Sequence, residues 1–267
     1  MRKLYILTSL IMLVCIGCEW SLTKGDDAFG SLSVERYDRI ESLYLTTGDY
    51  SALQQMNIAY PQQTRTLIED VLRIGQVNDP EINVKFLQFF QDSTLQSLVA
   101  AVELEYADMS DINASLTEAF SRLKEMIPSL KAPLVYSQIG SLDQSIIVGD
   151  GMLAISLDKY LGEAYSLYLR EDYGYTASQR KQMTRQMIVP DCIGFYLMSL
   201  YPMPSDHEPT QIERDMHVGK VQWVVNRAMN KRVFRSPYIK LVAKYMNENK
   251  NVSVDMLLNK HDYADMR

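Results

Sequence analysis

The hydrophobic period of this chain changes twice, and that limits what it can fold into. Ile112, Leu116, Phe120, Leu123 and Ile127 recur at steps of four and three, the spacing that lays one apolar stripe along a helix. Ser110 or Asp111 supplies its start and Pro128 its stop. From Pro133 the pattern becomes β-branched and nearly continuous. Pro133-Leu-Val-Tyr-Ser-Gln-Ile-Gly140, Ser145-Ile-Ile-Val148 and Met152-Leu-Ala-Ile-Ser-Leu157 read as three strands. Gly149-Asp150-Gly151 stands between the last two, with the positive-φ residues a tight hairpin needs. Helical spacing then returns. The expected fold class is α+β: mostly helical, with a small mixed sheet and β-hairpin over about 133–157 packed by helices. With only 12 Gly and 9 Pro, a many-turned all-β architecture is excluded, and 267 residues at 47% apolar can bury a sizeable core.

Before the sheet, Val34, Tyr37, Ile40 and Leu43 predict a helix capped by Ser33 and stopped by Gly48. Leu67, Val71 and Ile74 predict another over 64–74, and 82–102 reads as one or two helices buried on several sides. After the sheet, helices are expected from Ser178 through Ile188, over about 190–201 with Pro190 in its first turn, over about 210–229, over 237–246 and within 252–259.

The N-terminus sets the compartment. Arg2 and Lys3 precede an apolar run from Leu4 to Gly17 that is too short for a comfortable membrane span but right for a signal peptide. It ends in Cys15-Ile16-Gly17-Cys18, which resembles a bacterial lipobox: a small residue directly before a cysteine. The resemblance implies cleavage before Cys18, a diacylglyceryl thioether on its sulfur and an acylated amine. Several palmitate-length chains make such anchoring stable. An ordinary signal peptide or a membrane anchor is the alternative, and Cys15 is a poorer lipid site because Val14 precedes it. The organisation expected is 1–17 signal peptide, 18–32 lipid-anchored tether and 33–267 a single α+β domain.

Losing residues 1–17 removes two cations and no acid, leaving 25 Lys+Arg against 33 Asp+Glu, a net charge of −8. Nucleic acid is excluded as a partner on that balance, and the lipid rather than surface charge must hold the membrane. Cys192 is then the one unmodified cysteine, so no intramolecular disulfide forms. It reads as a small buried apolar residue.

Catalytic patterns are absent. The chain has no G-x-S-x-G elbow, Walker loop, dinucleotide fingerprint or H-E-x-x-H. His207-Glu208 lacks a second His one helical turn on, and His207 and His217 are expected to face solvent. No catalytic residue, metal ligand or cofactor is assigned, apart from the covalent lipid on Cys18.

The stretch Asp150-Gly-Met-Leu-Ala-Ile-Ser-Leu-Asp-Lys-Tyr-Leu-Gly162 resembles the strand-and-corner segment of the GldB gliding-motility lipoproteins of Bacteroidetes. The L-D-x-Y-L-G motif is matched by Leu157, Asp158, Tyr160, Leu161 and Gly162. Ile188-Val-Pro-Asp191 and His217-Val-Gly-Lys220 follow in the family's order, with Gly219 and Lys220 in place of its "GK" pair. The family in turn looks like a degenerate relative of zincin-type peptidases. Where a zincin helix carries H-E-x-x-H, this chain has Asp191-Cys192-Ile193-Gly194-Phe195. Too few of those groups remain to hold zinc and activate its water, so a zincin-like core without metal is implied. Within the motif, Asp158 is expected to cap the turn after the strand, Tyr160 and Leu161 to pack inward, and Gly162 to take φ > 0. Contact with a partner is the other reading of Asp158, Tyr160, Leu161, Gly162, Gly219 and Lys220.

The expected function is that of a non-catalytic cell-envelope lipoprotein, not an enzyme, supporting gliding motility or the associated secretion machinery. The resemblance implies envelope protein partners and a lipid anchor in the outer membrane, on its periplasmic face. The alternatives are an envelope hydrolase with an unrecognised site and a glycan- or small-molecule-binding lipoprotein using the Tyr-rich stretch 160–175.

Overall fold

A computed structural model describes residues 30–204 and 208–266. The signal peptide, Cys18, most of the tether and His207 lie outside the described residues. Residues 31–267 make one compact unit. Before the sheet come α1 (Tyr37–Thr47), α2 (Tyr50–Ala59), α3 (Pro61–Arg65), α4 (Ile82–Phe89), α5 (Ser93–Glu105) and α6 (Ser110–Met126). The sheet is β1 (Leu134–Gln138), β2 (Ile146–Gly149) and β3 (Met152–Ser156). After it come α7 (Ala177–Arg180), α8 (Ile188–Leu200), α9 (Gln211–Ala228), α10 (Pro237–Glu248) and α11 (Val254–Leu258). The mostly helical α+β reading therefore holds. Among the described residues no helix is long and apolar enough to cross a membrane.

The sheet order is β1-β3-β2, with β1 parallel and β2 antiparallel to β3. Gly149 pairs with Met152 across a two-residue turn, and Gly151 stands at φ +68, so the hairpin lies where the sequence places it. The loop after β1 carries the chain past the position of β3. The hairpin then returns β3 into the middle. α8 packs across β2 and β3, and α1 packs against β1.

α1 does not start at Ser33. Residues 33–36 are not helical, because β1 has an open edge that Glu35 pairs with: the Glu35 N–H donates to Val135 O at 2.8 Å and Ser137 N–H donates to Glu35 O at 2.9 Å. Helix begins only at Tyr37, and Gly48 ends it at φ +69 as expected. The buried face also differs from the expected stripe. Leu43 is 41% exposed, while Asp38, Glu41 and Ser42 are buried beside Tyr37, Tyr44 and Leu45.

The helix expected over 64–74 is α3 followed by a π-helical run, Thr66–Val71, that buries Leu67, Ile68 and Val71. The helix expected from Ser178 to Ile188 is a single turn. Thr176 and Gln179 form a reciprocal capping box at its start, and the chain then leaves helix to pair Thr184 with Leu161 and to offer Met183 O to the Gly162 N–H at 2.9 Å. α8 starts at Ile188, with Pro190 in its first turn where no N–H is missed.

Candidate functional site

The corner after β3 is held by buried carboxylates. Asp158 is fully buried and accepts the N–H groups of Gly140 at 2.7 Å and Leu142 at 2.5 Å. Ser141 and Leu142 stand at φ +52 and +67, a left-handed run that turns the amides of Gly140 and Leu142 toward one acceptor. Glu41, on α1, takes the next donor back, Ile139 N–H, at 2.9 Å. Asp158 thus organises the loop after β1, not the turn after its own strand. Burial raises its carboxyl above the usual carboxylate range, against the bonds from Gly140 and Leu142. Burial lifts Glu41 further, against the bond from Ile139. Glu41 Oε1 and Gln138 Oε1 are both buried without a hydrogen-bond partner.

The rest of the motif is tied down by tyrosines. Tyr106 donates its hydroxyl to Tyr160 O at 2.6 Å. The Tyr168 hydroxyl accepts the Leu161 N–H at 3.0 Å and donates to Asp158 O. Gly162 stands at φ +107, as its place in the motif requires. Leu161 is only half-buried, against the cluster formed by Leu98, Leu142, Leu167, Tyr168 and Met183. Tyr165 and Tyr175 set their rings edge-on to buried Tyr168 at 5.1 and 5.8 Å. The Tyr-rich stretch therefore packs inward around Tyr168, which disfavours its use as an exposed glycan platform.

Tyr160 is buried, but its hydroxyl reaches a second element and donates to Asp191 Oδ2 at 2.8 Å. Asp191 lies in the first turn of α8. The two residues border a cavity of about 210 Å³ whose wall also includes Ser145, Lys159, Tyr175 and Gln182. Burial pushes Asp191 up to about 7, with the Tyr160 bond working against it. Cys192 is fully buried, and burial, then the neighbouring Asp191, push its thiol up. Phe195 is 43% exposed. Lys159 donates to Leu142 O at 3.1 Å, Asp143 O at 3.4 Å and the Tyr175 hydroxyl at 2.9 Å.

Gly219 and Lys220 lie on α9 and have different tasks. A Cβ on Gly219 would stand 2.6 Å from Tyr238 Cβ, so glycine lets α10 close on α9. Lys220 is fully buried; its ammonium donates to Leu258 O at 3.0 Å and to Lys260 O, 5.2 Å from the centre of the Tyr263 ring. Burial, then nearby Lys260, lower it to about 8. His217 is buried rather than solvent-facing, because the tail beyond α11 covers this part of α9. Burial, then Lys220 and His261, lower it to about 4, and its Nδ1 has no hydrogen-bond partner. Among the described residues, no three His, Cys, Asp or Glu side chains converge as metal ligands.

The sequence brings Asp158, Tyr160 and Asp191 to attention; the structure joins Tyr160 to Asp191, while Asp158 turns to the loop after β1. It gives no notice of Glu41. The available signal was three polar residues, Asp38, Glu41 and Ser42, at helical spacing among Tyr37, Tyr44 and Leu45.

The model of the family described as gliding motility protein GldB matches residues 26–233. Searches of the curated proteins and of the solved structures found no match. The matched stretch contains the Asp158 corner, the start of α8 with Asp191, and the Gly219-Lys220 pair. The chain therefore belongs to the GldB family of gliding-motility lipoproteins.

Proposed function

We propose that this protein is a non-catalytic lipoprotein, anchored through Cys18 in the outer membrane on its periplasmic face, that supports gliding or the secretion machinery associated with it. Family membership supports the gliding connection. The non-catalytic part rests on one observation: at the start of α8, Asp191 is engaged by the Tyr160 hydroxyl while Cys192 is buried with its thiol held protonated. A zincin-type scaffold that has lost its metal fits that arrangement, since a zinc site needs several converging ligands and an activated water. Envelope proteins are the expected partners, and no cofactor beyond the lipid is required.

The test is a strain deleted for the gene and complemented with the full chain or with Cys18→Ala. The full chain should restore spreading and secretion, and Cys18→Ala should not. A deletion strain that glides and secretes normally would refute the proposal. Purified protein incubated with excess zinc should retain no stoichiometric metal and should fail a general hydrolase screen. One equivalent of zinc, lost in Cys192→Ser, would promote the hydrolase alternative.

A further inference from the structure

We propose that the cavity where α9 gives way to α10 binds a phosphate monoester, carried by a small soluble molecule or by a lipid headgroup. The proposed function assigns nothing to this part of the chain, and the inference is independent of it.

The observation behind it is a local reversal of charge. The body is acidic, yet no Asp or Glu falls between Asp215 and Glu248, while Arg227, Lys231, Arg232, Arg235, Lys240 and Lys244 are all exposed there. Two of these are engaged: Arg227 lies over the Trp223 ring at 5.6 Å, and Lys244 reaches Glu248 at 4.0 Å. Arg232, Arg235 and Lys240 share the wall of one cavity of about 360 Å³ with Ser236, Pro237 and Ile239. No carboxylate lines that wall, and none of the three cationic side chains has an ion pair or hydrogen bond among the described residues. Like charges gathered without a counter-ion repel one another and raise the local concentration of anions.

The loop that carries the two arginines is fixed from beneath. Asn226, on α9, accepts the Val233 N–H at 2.8 Å and the Phe234 N–H at 2.9 Å on its Oδ1, and its Nδ2 donates to Phe234 O at 3.0 Å. Asn230 turns the chain out of α9 at φ +50. Ser236 then caps α10: its Oγ accepts the Ile239 N–H at 3.2 Å, which leaves its hydroxyl proton available to donate. Arg232 and Arg235 therefore stand on a backbone pinned between them, and Lys240 on the helix itself.

Phosphate matches this set better than a carboxylate does. A phosphate monoester carries about −1.5 to −2 charge near neutral pH and three strong acceptor oxygens. Those oxygens can take two guanidinium forks, a point-like ammonium and a hydroxyl. The N-terminal end of α10 adds the positive end of its dipole. The space falls at the small end of ligand pockets, which run from roughly 300 to 1,000 Å³, and suits a phosphate with a short substituent.

The experiment uses the full-length protein in a non-ionic detergent, with calorimetry at constant ionic strength. Glycerol 3-phosphate should bind saturably, glycerol should not bind, and malonate, a dianion of the wrong shape, should bind more weakly. Because the cations are exposed, raising the salt from about 0.05 to about 0.2 M should weaken the binding. The double variant Arg232→Gln/Arg235→Gln should bind glycerol 3-phosphate roughly tenfold more weakly or worse. Lys85→Gln, at a cation of α4 outside this wall, should bind as the native chain does. Absent binding of glycerol 3-phosphate at the lower salt would overturn the inference. Malonate bound as tightly, or an equal loss in Lys85→Gln, would reduce the effect to general charge and overturn it too. Unchanged binding in the folded double variant would do the same, and the comparison of ligands on the native chain stands even if that variant fails to fold.

One further ligand separates the sources. Dihexanoyl phosphatidic acid that binds more tightly than glycerol 3-phosphate, with that affinity lost in the double variant, would assign the site to a lipid headgroup. Any other result with glycerol 3-phosphate bound would assign it to a soluble phosphate ester.

Discussion

Asp158 accepts the Leu142 N–H at 2.5 Å while Leu142 stands at φ +67. The left-handed loop and the buried carboxylate define each other: the φ values aim the amides, and the carboxylate holds the φ values. Asp158→Asn keeps the shape but turns one acceptor into a donor facing an N–H. It should cost about 2–4 kcal/mol of stability, read from urea unfolding. A loss below about 1 kcal/mol would mean the loop amides find other partners.

Glu41 gives a pH dependence of definite sign. Burial holds its folded pKa well above the ordinary glutamate range, so the folded chain binds that proton more tightly than the unfolded chain. Stability must then fall as pH rises from the unfolded value near about 4.3 toward the folded value. Glu41→Gln removes this contribution and keeps an acceptor for Ile139 N–H. Between about pH 5 and about pH 8 the native chain should lose more stability than the variant. Parallel curves would exclude Glu41 as a source.

Asp191 should titrate near 7, since burial raises it. The Tyr160 hydroxyl stabilises its charged form, so Tyr160→Phe should move the midpoint higher. Carbon NMR of the carboxyl group reads both. A lower midpoint in the variant would reverse the assigned role of that bond.

The two glycines fail for different reasons. At Gly162 nothing lies within 4 Å of an added Cβ, and only φ +107 resists a side chain. Gly162→Ala should cost about 1–3 kcal/mol with packing intact. At Gly219 the new methyl meets Tyr238 at 2.6 Å. Gly219→Ala should cost about 1–3 kcal/mol by parting α9 from α10, and Tyr238→Gly should recover part of the lost contact geometry. Thermal melts of the single and double variants separate the two cases.

Lipidation at Cys18 is tested by metabolic labelling. Cys18→Ala should take up no labelled acyl chain and should retain its leader. Normal acylation of that variant would move the lipid to Cys15.

How much of this was legible depended on whether the relevant force was local. The 149–151 turn, the stripe of Ile112 to Ile127 and the helix from about Thr210 are written in adjacent residues, and each lies where the sequence puts it. Ser33 failed because the competing partner, the edge of β1, is about a hundred residues away. The helix expected from Ser178 failed because Met183 and Thr184 serve the corner at Leu161 and Gly162. In the site, the motif pointed to Asp158 and Tyr160, but which amides Asp158 collects was set by a loop with no sequence signature. The burial of His217 was hidden in the same way, since neighbouring α9 residues carry no mark of the tail that covers them.

Lys220 sits within the stretch matched to the family, yet the carbonyls that satisfy its ammonium belong to residues 258 and 260. A chain cut after residue 233 would lose both those carbonyls and the segment that covers Lys220, baring this apolar face of α9 to water, so the edge of the recognisable sequence is not an edge of the folding unit. Every residue supplies a main-chain oxygen. The contact at 258 and 260 therefore asks for a backbone path and not for particular side chains at those two positions.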